Sequence, residues 1–228
     1  AIEKAVEFIR RNELSAEVIV VDDGSDDETL KIAQEVAARH DNVRTLFHWP
    51  NRGKGYAVRR GMLNARGRYR MFLDVDLATP IEETGRMLSA LEEGADVVVG
   101  SRHLSESRIE VRQSRIRRWM GGAFRRLARA VLRLPTSDVT CGFKGFRAEA
   151  AERIFRAQRM DGWAFDAELI YLASAWNMKV IELPVRWRDS GDSAVRPLSA
   201  ARESLAALFR LWLNARRGVY ERPKADDK

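Results

Sequence analysis

Three short aliphatic runs in the first hundred residues each break off into polar residues that a strand interior does not tolerate. Val18-Ile19-Val20-Val21 leads into Asp22-Asp23-Gly24-Ser25, Arg70-Met71-Phe72-Leu73 into Asp74-Val75-Asp76, and Val97-Val98-Val99 into Gly100-Ser101-Arg102. Runs that stay apolar instead of alternating mark strands covered on both faces. Amphipathic stretches fill the intervals, and this alternation predicts an α/β architecture, a mostly parallel sheet with helices on both faces. In such sheets ligands gather outside the carboxyl ends of the strands. The acids, glycines and arginine at the ends of these runs therefore converge on one sheet edge.

Strands are expected at 17–21, 43–47, 70–73, 96–99 and 179–186. Helices are expected at 2–11, 26–39, 54–65, 81–92, 113–132, 148–157, 164–176 and 199–215. A length of 228 residues with 45% hydrophobic side chains suits one domain with a sizeable core. We read 1–197 as the layered domain, with a basic amphipathic insert at about 102–133, and 198–228 as a C-terminal amphipathic helix with a polar tail. Cys141 is the single cysteine, so there is no internal disulfide, and with no secretory signal visible a reducing, cytoplasmic setting is expected. No run of 18 apolar residues is present to span a bilayer.

The formal charge of +7 points to an anionic partner, and its distribution narrows the choice. Residues 102–133 carry ten arginines, no lysine and two acids, a net +8 that leaves −1 for the rest of the chain. Within this insert Ile116, Trp119, Met120, Ala123, Phe124, Leu127, Val131 and Leu132 recur at three- and four-residue steps. A basic amphipathic helix of this kind reads as a core helix with a solvated face, a nucleic-acid binder or a membrane-surface helix. Aromatic residues are not interleaved with the arginines as a stacking platform requires, so no nucleic-acid partner is expected.

Asp74 and Asp76, one residue apart at a strand end, send their carboxylates to the same side. Two hard oxygens there suit Mg²⁺ or Mn²⁺, which would bridge nucleotide phosphates; solvated loop acids are the plainer reading. Asp22 and Asp23 offer acceptors to a base or ribose, with helix capping as the alternative for this turn. Asn51-Arg52-Gly53-Lys54-Gly55 precedes a helix, a place where glycine-rich backbone and cations hold phosphate. It lacks the spacing of a Walker A loop. Cys141 has no histidine beside it and reads as a packed thiol, and His40, His48 and His103 show no metal-ligand spacing.

In this order, six stretches resemble the inverting family 2 glycosyltransferases of the GT-A fold, in particular the polyprenyl-phosphate sugar transferases. They are Val-Ile-Val-Val-Asp-Asp-Gly-Ser (18–25), Asn-Arg-Gly-Lys-Gly (51–55), Phe-Leu-Asp-Val-Asp (72–76), Val-Val-Val-Gly-Ser-Arg (97–102), Asp-Val-Thr-Cys-Gly-Phe-Lys (138–144) and Trp-Ala-Phe-Asp-Ala-Glu-Leu (163–169). The last two look more like dolichyl-phosphate β-glucosyltransferases than mannosyltransferases. The resemblance implies transfer of a hexose, glucose from UDP-glucose, to a membrane polyprenyl or dolichyl phosphate with inversion. Transfer of mannose from GDP-mannose, or a non-catalytic relative that binds membranes, are the alternatives. It also implies that the family's first strand and its Pro-x-Tyr-Asn-Glu-like loop precede Ala1.

By the same resemblance, Asp22 and Asp23 lie at the nucleotide base and ribose, Lys54 near the donor, and Asp74 and Asp76 at the metal and diphosphate. Asp138 and Asp166 are candidates for a base, an outer contact to the metal or organisers of the acceptor loop. A lipid acceptor favours the membrane reading of the insert and places the protein peripherally on the cytoplasmic face. Arg102, Arg112 and Arg115 are then the candidates for the acceptor phosphate. That phosphate has a second pKa of about 6, so a strong base is not essential. Among the tryptophans Trp163, Trp176 and Trp187, all suited to a core, Trp163 is the best placed to serve as a sugar platform.

Overall fold

The fold is described from a computed structural model, for residues 1–111, 122, 126–129, 131, 132, 134–188 and 197–221. Helix α1 (Ile2–Arg11) leads into β1 (Val18–Asp22), α2 (Thr29–Ala37), β2 (Val43–Phe47), α3 (Lys54–Asn64), β3 (Tyr69–Leu73), α4 (Glu83–Glu92) and β4 (Val97–Ser101). There follow β5 (Arg108–Val111), β6 (Phe143–Arg147), α5 (Ala148–Ala157), α6 (Phe165–Ala175), β7 (Val180–Pro184), β8 (Arg186–Arg188) and α7 (Pro197–Arg216). The helix expected at 113–132 lies mostly outside the described residues, which retain helical turns at 126–129 and 131–132.

Strands β1 and β2 form one parallel pair, β5 and β8 another, and β3-β6-β4-β7 a four-stranded sheet. Strand β6 runs against both of its neighbours while β4 and β7 are parallel, so the expected parallel order carries one reversed strand. Helix α3 packs on both β1 and β3 and thereby joins the first pair to the larger sheet.

Period-two alternation divides the core between the two sheet faces. Val97, Val99 and Phe146 face α5 and α6, where Ile154, Phe155, Phe165, Leu169 and Leu172 are fully buried. Val98 and Phe143 face α4, against Met87 and Leu91. A Cβ at Gly145 of β6 would come within 2.7 Å of Met87 Sδ, so glycine is what lets α4 settle on the sheet. Leu208 and Leu211 of α7, with Ala128, Leu132 and Tyr220, complete the first cluster. Each such side chain contributes about 1.5–3 kcal/mol on burial.

Helix α6 is buried nearly all round, from Phe165 through Leu172 and Ala173. Two acids on such a helix, Asp166 and Glu168, are therefore desolvated. They keep their place only because partners meet their oxygens.

Candidate active site

The carboxyl ends of β1 and β3 face the N-terminus of α3. Asp22 turns its carboxylate onto its own loop and accepts from the Gly24 and Ser25 amides at 3.1 Å each and from Ser25 Oγ at 2.6 Å. Asp23 reaches across: its Oδ1 accepts from the Arg52 amide at 2.9 Å and lies 2.7 Å from His48 Nε2, and its Oδ2 accepts from the Gly53 amide at 2.8 Å. This bond set ties the β1 turn to the basic glycine loop. Gly53, at φ 103°, has no room for a side chain, since its Cβ would meet the Asp161 carbonyl at 2.6 Å.

Lys54, the first residue of α3, places its Nζ 2.5 Å from Asp74 Oδ1 and 5.3 Å from the ring centre of Trp163. Burial pulls the ammonium pKa down, but Asp74, Asp166 and Asp76 outweigh it and the net shift is upward. Asp74 can lie as it does because residue 142 is glycine; a Cβ there would overlap its carboxylate. Asp76 is exposed two residues on, its Oδ1 taking the Ala78 amide at 2.9 Å. Behind them Lys144, fully buried, donates to Asp166 Oδ1 at 2.5 Å and to the Cys141 carbonyl at 2.6 Å. Burial pushes the Asp166 pKa up, against the pull of Lys144 and Lys54. A row of alternating charges thus runs from the surface inward: Asp74, Lys54, Asp166, Lys144.

Asp74 and Asp76 suit a small hard cation. Two carboxylates offer oxygen, and no third Asp, Glu, His or Cys joins them among the described residues, which would leave such a cation open to phosphate oxygens and water. That is the usual way Mg²⁺ is held.

A sequence profile of Glycosyl transferase family 2 matches residues 1–155. This chain belongs to that family. The dolichyl-phosphate β-glucosyltransferase of Dictyostelium discoideum is 31% identical over 96% of this chain and 71% of its own length. The Drosophila melanogaster protein of the same name is 36% identical over 86% of this chain, which spans 63% of that relative. Among solved structures, glucosyl-3-phosphoglycerate synthase from Mycobacterium tuberculosis in complex with uridine diphosphate superposes with a TM-score of 0.63 at 18% identity, over 92% of this chain and 74% of that one. The same enzyme in complex with Mn²⁺, UDP-glucose and phosphoglyceric acid gives 0.61. The fold is therefore GT-A, as the motifs imply.

On the other flank of this glycosyltransferase, Arg102 is locked onto Asp138. Its Nε donates to Oδ2 at 2.7 Å, one terminal nitrogen to Oδ1 at 2.9 Å and to Thr140 Oγ1 at 3.0 Å, and its amide to Oδ2 at 3.0 Å. Burial alone would raise the Asp138 pKa, but the Arg102 guanidinium holds it well below the usual carboxylate range. Of the roles open to Asp138, this geometry fits an organiser and not a base. Asp166, 4% exposed with Lys144 on its carboxylate, also fits an organiser better than a base that reaches substrate. Arg102 is expected at the acceptor phosphate, yet the guanidinium is committed to Asp138 and Thr140. Arg112 and Arg115 lie outside the described residues.

Trp176 is core at 3% exposure, Trp163 is 56% exposed beside Lys54, and Trp187 lines a small crevice with Asp74, Thr79 and Gly142. Cys141 is buried, and that burial, with the nearby Asp138 charge, pushes its thiol up to about 11. It is a packed residue and no nucleophile.

Three contributors are given no role by the sequence reading, although two of them lie inside the quoted stretch 138–144. Gly142 makes room for Asp74. Lys144 anchors Asp166; its signal is a cation set between Phe143 and Gly145-Phe146. Glu182 accepts the Ser137 amide at 2.6 Å and the Asp138 amide at 3.1 Å, and the acid inside Val-Ile-Glu-Leu-Pro is the corresponding clue.

Proposed function

We propose that this glycosyltransferase moves glucose from UDP-glucose, with inversion, onto the phosphate of a membrane-held dolichol or related polyprenol. The observation that carries the reading is the meeting of Asp74, Asp76 and Lys54 at one sheet edge, with Lys54 Nζ 2.5 Å from Asp74. The dolichyl-phosphate β-glucosyltransferases matched by this chain supply the acceptor and sugar class.

In this reading Asp22 and Asp23 shape the turn that faces base and ribose, and Lys54 turns to the donor phosphates. Asp74 and Asp76 hold Mg²⁺ or Mn²⁺, which when bound would neutralise charge on the leaving diphosphate. An anionic oxygen of the lipid phosphate attacks the anomeric carbon in line. The bond to the diphosphate breaks with its electron pair, UDP leaves, and the β-linked lipid phosphosugar forms. Because the attacking oxygen is already ionised, the site has to position it more than deprotonate it. That task falls to Arg112 and Arg115, with Arg102 bracing the loop.

No helix among the described residues is long and apolar enough to cross a membrane. Peripheral contact with a membrane is supported by exposed Leu127 and Val131 beside exposed Arg126 and Arg129, and by exposed Leu205 and Phe209 on α7. Each arginine near anionic lipid contributes about 1 kcal/mol.

The test is transfer of radiolabel from UDP-glucose to an organic-extractable product with the whole protein, dolichyl phosphate and Mn²⁺. Label in the lipid phase that disappears with chelator is the expected result. Transfer from GDP-mannose alone, or membrane binding without any transfer, would overturn it.

A further inference from the structure

One buried carboxylate links the segment after α7 to the donor side of the site. Glu168 is 0% exposed. Its Oε1 accepts from the Arg159 amide at 2.9 Å and the Tyr220 hydroxyl at 2.5 Å, and its Oε2 accepts from the Met160 amide at 2.9 Å. Tyr220 is itself held, its hydroxyl accepting from Asn214 Nδ2 at 3.2 Å and its carbonyl from the Trp176 indole at 3.1 Å. An apolar side chain would fill this interior place without desolvating a charge. What the carboxylate adds is direction: three donors, from two stretches of chain, are fixed on one group.

The stretch so fixed, 158–163, is the floor on which α3 begins. Gln158 Nε2 donates to the Gly55 carbonyl at 2.9 Å and to the Met160 carbonyl at 2.7 Å, and the Tyr56 amide donates to the Asp161 carbonyl at 3.2 Å. At both Gly53 and Gly55 a Cβ would come within 2.6 Å of this strap's carbonyls. Backbone therefore lies on backbone, with no flexible side chain to absorb a shift. Lys54 stands between those two glycines, and Trp163, at the end of the strap, lies 5.3 Å from its ammonium. A displacement of 159–161 passes directly to the cation that faces Asp74.

We infer that Glu168 and Tyr220 are positioning residues for the nucleotide donor: the Tyr220 hydroxyl and the Glu168 carboxylate set the strap 158–163, and the strap sets Lys54. The inference rests on the nucleotide-sugar reading of the site. It also makes the seating of α7, the helix with an exposed Leu205 and Phe209, mechanically continuous with the donor loop.

Tyr220→Phe removes one hydroxyl and keeps the ring that packs edge-on against Tyr171. The UDP dissociation constant and the UDP-glucose KM should both rise roughly 3–10-fold. The acceptor KM and kcat should stay within about twofold. Glu168→Gln should shift the donor in the same direction. Leu91→Ala, a cavity in α4 within the separate cluster on the other sheet face, serves as the structural control: it should lower the melting temperature while leaving the ratio of donor to acceptor KM unchanged. Hydrogen exchange adds a readout that needs no ligand, with the Met160 and Tyr56 amides exchanging faster in Tyr220→Phe than in the wild type and the β4 amides unchanged.

Wild-type binding of UDP with no shift in Tyr220→Phe would overturn the positioning role, as would equal loss on donor and acceptor or unchanged exchange at Tyr56. Failure of the wild-type protein to bind UDP would instead sink the functional reading, and the donor role with it.

Discussion

Two carboxylate–cation pairs flank the site, and they differ in how far they are closed. Lys54 meets Asp74 through a single ammonium contact, with the two side chains 23% and 36% exposed. Arg102 grips Asp138 with two nitrogens, and there the carboxylate is 0% exposed. An ammonium is a point charge on a flexible stem, whereas a guanidinium fork fixes the plane of its partner. The first pair can therefore hand its carboxylate to another cation, because water and ligand reach it. The second cannot be opened without stranding a charge in the interior. Both pairs oppose desolvation with attraction, but only one of them leaves the attraction transferable.

The largest effect that would break this comparison lies on the closed side. Removing Asp138 alone leaves Arg102 charged and poorly compensated, and losing one partner of a buried pair costs about 3–5 kcal/mol. Asp138→Ala should lose that much in urea unfolding. The double variant Asp138→Leu with Arg102→Met should regain most of it, since a packed apolar pair is often neutral relative to the ionic one. A loss below about 1 kcal/mol in the single variant would mean that this pair behaves like a surface bridge and that the contrast is wrong.

The open pair should show the reverse pattern, chemistry without stability. Asp74→Asn keeps the volume that Gly142 accommodates but gives up the charge that would hold a divalent cation. A metal ion held there would contribute several kcal/mol to stabilising the developing charge, so sugar transfer should fall by about 100-fold or more. Its unfolding free energy should stay within about 0.5 kcal/mol of wild type, as for other partly exposed substitutions. Activity above about a tenth of wild type would remove Asp74 from the metal and diphosphate.

The two flanks also differ in how legible they are in sequence. Asp22, Asp23, Asp74 and Asp76 announce themselves because each closes an aliphatic run, a purely local signal. Lys54 follows from its glycine loop in the same way. The closed flank depends on partners 36 residues apart for Arg102 and Asp138 and 45 apart for Ser137 and Glu182, which no window along the chain brings together. Strand β6 is missed because Phe143-Lys144-Gly145-Phe146-Arg147 has no β-branched residue; burial on both faces, and not propensity, makes it a strand. Strand β5 hides inside the arginine-rich insert. The single strand expected at 179–186 divides at Val185, whose amide and carbonyl leave the ladder for Ser101 and Arg108. In each case tertiary pairing decides what local pattern leaves open.

The smallest effect is in the acid limb of stability, and it separates the flanks by sign. Asp138 has its folded pKa held below the unfolded value of about 3.9. Its stabilising contribution is therefore complete above that value and is lost as pH falls towards the folded one. Asp166 and Glu168 are shifted upward, chiefly by burial. They take up protons in the folded state first, so falling pH favours folding until it reaches their unfolded pKa values. In the wild type alone these opposite slopes lie side by side, above and below about pH 4, on top of those of the other titrating groups. Subtracting an Asp138→Asn stability curve removes what the two proteins share and leaves the Asp138 contribution. That difference should be flat from pH 7 to about 5 and shrink steadily below about 4. A difference that stays level down to pH 2.5 would mean that shape and hydrogen bonding, and not ionisation, hold Arg102 in place.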